Sequence, residues 1–78
     1  MKPEIISKTN SIFQKVFEDK NLQINENMSA KDVAKWDSLN HLSMISEVES
    51  EFGIKFKLKE LVAMQNVGDL LKAIESKL

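Results

Sequence analysis

The stretch that decides the fold is residues 36–56, WDSLNHLSMISEVESEFGIKF. Met44, Ile45, Val48 and Phe52 recur at the spacing of one helical face, at about 100° per residue. Ser38 stands where such a helix begins. Its hydroxyl is of the kind that accepts a first-turn N–H, so Ser38 is expected as the N-cap. Gly53 ends the run as a left-handed residue beyond the last turn. The expected helix therefore begins at Ser38 and stops before Gly53. Leu39 and Leu42 fall outside its apolar stripe, beside Ser46 and Glu49 and near Glu47. A helix with one buried face does not need this second apolar patch.

On the N-terminal side, Ile5, Ile6, Thr9, Ile12, Phe13, Val16 and Phe17 repeat at helical spacing. Pro3 suits the first turn of that helix, and the pattern breaks near Glu18. Residues 18–37 show no sustained period. Asn21, Asn25, Asn27 and Ser29 favour turns, while Leu22, Ile24, Met28 and Val33 are spaced apolar anchors. A single helical turn is expected to start at Ser29–Asp32. A connection of this length is uncommon in a compact domain and is often functional. On the C-terminal side, Ile54 and Phe56 anchor a loop, and residues 58–62 suggest a short helix. Asn66 is the expected N-cap of a last helix, with Asp69 in its first turn and Val67, Leu70, Leu71, Ile74 and Leu78 on its apolar stripe. The expectation is an all-α four-helix bundle, three helices long and one short, with a long first loop, formed by residues 1–78 as a single domain. Phe13, Val16, Ile45, Val48, Phe52, Leu71 and Ile74 are its expected shared core.

Composition narrows the function. Seventy-eight residues leave little material for a deep substrate cleft. There is no cysteine, so no disulfide, thiolate zinc site or thiol nucleophile can form. Eleven basic and twelve acidic residues give a net charge of -1, without the basic face that marks nucleic-acid binders. No apolar run approaches the roughly 20 residues that span a bilayer, and no signal peptide is evident. A cytoplasmic monomer without membrane insertion is expected. Charge is uneven: residues 37–54 hold four acids (Asp37, Glu47, Glu49, Glu51) and no Lys or Arg, and Lys55, Lys57 and Lys59 follow. The acidic stretch reads as a solvated face or as a docking surface for basic partners.

His41 is the only histidine, and Gly53 and Gly68 are the only glycines, so neither a His pair for a metal nor a glycine-rich phosphate loop exists. Asp37, Ser38 and His41 are close in sequence, but a catalytic triad is defined by geometry and needs an oxyanion hole. His41 is expected to pack near the loop end of the core. There remains Ser38 itself. A serine at a helix N-terminus suits a phosphodiester, because the first-turn N–H groups and the dipole favour negative charge there. Taken alone, Ser38 reads first as a cap.

The segment from Trp36 to Phe56 resembles the signature of the acyl carrier protein family. The shared parts are Asp37-Ser38-Leu39, the amphipathic acidic helix and its ending Glu49-Ser50-Glu51-Phe52. The resemblance implies a carrier, not an enzyme, with 4′-phosphopantetheine covalently attached to Ser38 and Asp37 assisting at that site. It implies a phosphopantetheinyl transferase as partner, together with enzymes that load and transfer acyl groups of fatty-acid-like or specialised biosynthesis. Leu39, Leu42, Ser46, Glu47 and Glu49 would form the partner face. The chain departs from the family pattern in its near-neutral charge, in Trp36 where Gly is frequent before the serine and in Asn40 where an acid is frequent after Asp-Ser-Leu. The run Trp36-Asp37-Ser38-Leu39 resembles stand-alone carriers of specialised pathways more than the housekeeping fatty-acid carrier. An aminoacyl, D-alanyl or peptidyl carrier, or an unmodified helical adaptor, stays open at this point.

Overall fold

The structure, a computed structural model, describes residues 2–78. Four helices follow one another: α1 Pro3–Val16, α2 Ser38–Phe52, α3 Leu58–Ala63 and α4 Val67–Lys77. With 14, 15 and 11 residues in α1, α2 and α4 against 6 in α3, three are long and one is short. The described residues contain no strand.

Helices α1 and α2 end by the same backbone device. At the end of α2, Gly53 turns the chain at φ +65 and the Ile54 N–H donates back to the Glu49 carbonyl. At the end of α1, Glu18 takes this left-handed conformation at φ +52, and the Asp19 N–H donates to the Gln14 carbonyl. Only the first of these was readable, since glycine enters that region without steric cost and glutamate does not. For α4, Asn66 is the cap as expected: its side chain accepts from the Asp69 N–H, and Asp69 in turn accepts from the Gln65 N–H.

Helix α1 packs on α2 and α4, and its buried residues are Ile5, Thr9, Ile12 and Phe13. Facing them are Met44, Ile45 and Val48 of α2 and Val67, Leu70, Leu71 and Ile74 of α4, all buried. The core differs from expectation at its edges. Val16 and Phe52 are half-buried and pack against it from outside, Ile6 and Leu78 are exposed, and Met44 is wholly buried. Phe52 sits in the last turn of α2, where Lys8 of α1 approaches its ring at 5.9 Å, so it lies on the rim rather than at the centre.

The long connection between α1 and α2 is held on both sides. Leu22 and Val33 are buried in the core. Asn10 accepts from the Ile24 N–H and the Gln14 side chain donates to the Leu22 carbonyl. The carbonyls of Met28 and Glu26 accept from the N–H groups of Val67 and Gly68, two donors at the start of α4 that have no intrahelical partner. A Cβ on Gly68 would meet the Glu26 carbonyl oxygen at 3.0 Å, so glycine here serves the close approach of the loop. The expected helical turn at Ser29–Asp32 is a hydrogen-bonded turn instead. Asp32 accepts from the Ser29 N–H and its own N–H donates to the Ser29 carbonyl, closing the segment locally.

Candidate functional site

The residue before α2 sets the site. Asp37 has extended backbone (φ -113, ψ -178), and its carboxylate accepts from the Asn40 N–H at 2.8 Å. Its carbonyl accepts the first intrahelical bond, from the His41 N–H. Asp37 is therefore the cap, and the assignment of that role to Ser38 is corrected. Ser38 is the first residue inside the helix. Its side chain is exposed, and with Asp37 as the cap its hydroxyl is not committed to capping. The Asn40 side chain adds a second clamp, donating to the Lys35 carbonyl at 2.8 Å. The chain thus enters α2 through a fixed turn, with an accessible hydroxyl at the positive end of the helix dipole.

Trp36 anchors that turn. Its ring meets Phe13 edge-on at 5.3 Å and lies 5.7 Å from Phe17. The indole N–H donates to His41 Nδ1 at 3.0 Å, and the two rings stack within 16°. This bond places the His41 proton on Nε2, leaving Nδ1 as acceptor. Desolvation by partial burial holds the His41 pKa below its usual value of 6.5. His41 packs at the loop end of the core, as expected, and is a neutral partner of Trp36. Its position gives no support to a Ser–His–Asp triad.

A groove of about 520 Å³ opens beside the serine. Ser38 and Leu42 line it from α2, Leu58, Leu61 and Val62 from α3, with Trp36 and His41 also in its wall. Its apolar lining follows from α3 itself: no residue of that six-residue helix is fully buried, so its leucines and valine are left to the groove and the surface.

The other candidate residues are distributed unevenly. Leu39, Leu42 and Ser46 are exposed on α2. Glu47 pairs with Lys15 of α1 at 3.1 Å. Glu49 is half-buried and accepts from the Phe56 N–H at 2.9 Å, which ties the loop after α2 to the helix. Two features went unassigned from sequence. One is the Trp36–His41 pair, whose five-residue separation carries no pattern. The other is the exposed pair Leu58 and Val62. Leu58, Leu61 and Val62 at i, i+3 and i+4 of a short helix were the available sign of the latter. Among the described residues no cluster of His, Cys, Asp and Glu can hold a metal ion, and no helix is long and apolar enough to cross a membrane.

An accessible serine at the start of an amphipathic helix, beside an apolar groove and without a catalytic set, defines a small helical carrier domain. The chain is 35% identical over 75 residues to the acyl carrier protein of Thermotoga maritima, covering 96% of this chain and 93% of that one. Its fold matches the solution structure of the holo acyl carrier protein from Geobacter metallireducens with a TM-score of 0.88 and 37% identity, covering 94% of this chain and 84% of that one. A putative acyl carrier protein from Mycobacterium tuberculosis matches in fold alone, with a TM-score of 0.83 and 24% identity over 92% of this chain and 96% of that one. No protein-family model matches the chain. The chain belongs to the acyl carrier protein family. Members of this family carry acyl groups on a phosphopantetheine arm and are not enzymes.

Proposed function

We propose that Ser38 bears the 4′-phosphopantetheine arm and that the chain, working as one domain, presents thioester-bound acyl groups to the enzymes of a fatty-acid-like or specialised biosynthetic pathway. The observation that carries this reading is the exposed Ser38 hydroxyl at the first position of α2, relieved of capping by Asp37 and opening onto the apolar groove. The residues fit the group. First-turn N–H groups of α2 and its dipole favour a phosphodiester at Ser38, and an apolar chain returning along the arm meets Leu42, Leu61 and Val62.

In the attachment step the Ser38 Oγ attacks the phosphorus of coenzyme A nearest the pantetheine. The new O–P bond replaces the pyrophosphate bond, adenosine bisphosphate leaves, and the hydroxyl proton passes to a base on the transferase. The chain has no base of its own here, since His41 Nδ1 is engaged by Trp36. Asp37 holds the turn and offers its carboxylate to the transferase. Once loaded, the tether raises the effective concentration of cargo at each partner enzyme. The work is assigned to the cytoplasm, a reading supported by the lack, among the described residues, of a helix long and apolar enough to cross a membrane.

The test is intact mass after incubation with coenzyme A and a broad-specificity phosphopantetheinyl transferase. Wild type should gain one phosphopantetheinyl group, mapped by peptide fragmentation to Ser38. Ser38→Ala should gain none while keeping its helical circular dichroism, because the cap is Asp37. Modification of Ser38→Ala, or a wild type that resists modification, would sink the proposal.

A further inference from the structure

We infer that His41 selects the cargo. Its Nε2–H donates to a neutral oxygen on the tethered acyl group, so the groove shelters β-oxo and β-hydroxy acyl chains in preference to plain alkyl chains of the same length. The inference rests on the carrier reading of Ser38 and names the class of cargo that the arm brings to the groove.

Two observations carry it. The first is a donor of fixed direction. The Trp36 indole N–H occupies His41 Nδ1 at 3.0 Å, so the ring proton sits on Nε2, on the edge of the imidazole turned away from the indole. Trp36 is itself packed on Phe13 and Phe17, and the planes of the indole and the imidazole lie within 16° of each other. The orientation of the Nε2–H is thereby set as well as its presence. Desolvation holds the His41 pKa below 6.5, which keeps the ring neutral at physiological pH. His41 is half-buried and lines the groove, and its Nε2 makes no hydrogen bond among the described residues.

The second is the division of the walls. Asp37, Ser38 and His41 bring polar groups from the start of α2, whereas Leu58, Leu61 and Val62 bring hydrocarbon from α3. The groove holds about 520 Å³, within the range of ligand clefts. A chain that is oxygenated next to its thioester and apolar beyond matches this division. The Asp37 carboxylate in the same wall disfavours a second carboxylate on the cargo, so the matching oxygen is a neutral one. Gln65 also lines the groove, but it is exposed and no hydrogen bond of its side chain orients it among the described residues.

The preference follows from an asymmetry of cost. An alkyl chain laid over the Nε2–H strips its water and returns no acceptor, whereas a keto or hydroxyl oxygen replaces the lost hydrogen bond. A site whose polar group is left unpaired by the wrong ligand discriminates more strongly than one that merely loses an apolar contact. His41 is thus the specificity-determining side chain, and Trp36, which acts through it, is a positioning residue.

The test loads the chain with hexanoyl, β-hydroxyhexanoyl or β-oxohexanoyl phosphopantetheine, using the matching acyl-coenzyme A and a broad-specificity transferase. Intact mass confirms loading before any comparison. Exchange of the thioester with a small thiol is then timed on the carrier and on the matching free acyl-pantetheine, which removes the intrinsic reactivity of each acyl group. The free rate divided by the carrier rate, less one, measures the sheltered over the exposed population. For both oxygenated chains this quantity should exceed the hexanoyl value about fivefold, the factor that one net hydrogen bond supplies. In His41→Leu the three chains should shelter alike. In His41→Gln, whose amide can accept from Trp36 and donate to the cargo, the preference should return. Nitrogen NMR of the wild type needs no variant: His41 should carry its proton on Nε2, and that signal should move on loading with the oxygenated chains and hold still with hexanoyl. Equal shelter for all three chains in wild type would overturn the inference, as would a preference that survives His41→Leu. A proton on Nδ1, or an Nε2 signal indifferent to the cargo oxygen, would overturn it too. A chain that gains no mass fails the attachment reading and takes this inference with it, whereas a chain that loads without discriminating fails this inference alone.

Discussion

Asp37 caps α2 and, on the proposed function, also meets the transferase, and replacing it tells the two duties apart. Its carboxylate oxygen lies 2.8 Å from the Asn40 nitrogen, and its negative charge stands at the start of α2, which has no acid in its first turn. Asp37→Asn keeps an oxygen acceptor in place and removes only the charge. That costs about 0.3–1 kcal/mol of favourable dipole interaction. Asp37→Ala removes the acceptor as well, adding about 1 kcal/mol for the lost cap. In a domain of this size about 1 kcal/mol moves the thermal midpoint by roughly 4–8 °C. The asparagine variant should therefore melt within about 8 °C of wild type, and the alanine variant should melt at least about 4 °C below the asparagine one. Transfer should follow the other order of cause. If the carboxylate meets the transferase through a charged hydrogen bond, losing it costs about 1.5–3 kcal/mol. Both variants should then show kcat/KM for phosphopantetheine transfer lowered about tenfold or more, by nearly the same factor, when measured well below their midpoints. Thermal melts by circular dichroism and transfer rates by intact mass are the two assays. Equal midpoints for the two variants would refute the assignment of Asp37 as the cap. An asparagine variant transferred at the wild-type rate would refute its charge at the transferase interface.

Two further outcomes follow from buried polar groups. The Thr9 hydroxyl is wholly buried in α1 with no hydrogen-bond partner among the described residues; Thr9→Val should stabilise the fold by about 1 kcal/mol, read as a higher urea midpoint at unchanged slope. His41 has a folded pKa below 6.5, so the unfolded chain binds its proton first as pH falls; stability from this group is intact above that value and lost as pH drops from it toward and through the folded pKa. Urea unfolding followed by Trp36 fluorescence from pH 7.5 to 5.5 should show this decline in wild type and a shallower one in His41→Gln, and equal slopes would disprove the coupling.

What sequence alone determined is what a few neighbouring residues decide. Periodic apolar spacing made α1, α2 and α4 legible, and Asn66 and Gly53 marked a start and a stop, because caps and left-handed turns are satisfied by atoms within one helical turn. The Asp37-Ser38-Leu39 run singled out the serine only through its resemblance to the acyl carrier protein signature, because on local grounds Ser38 reads first as a cap. Tertiary structure decided whatever depends on chain segments distant in sequence. Which of Asp37 and Ser38 caps α2 depends on the extended backbone of Asp37, which Trp36 fixes by packing on Phe13 and Phe17 of α1. Gly68 is required by the Glu26 carbonyl, more than forty residues earlier. The pairing of the surface acids was settled in the same way. Lys8 and Lys15 are brought against Glu51 and Glu47 only when α1 packs on α2, while Lys55, Lys57 and Lys59 are left unpaired. A charge counts at a surface only as far as its neighbours leave it uncompensated, and those neighbours are assigned by packing.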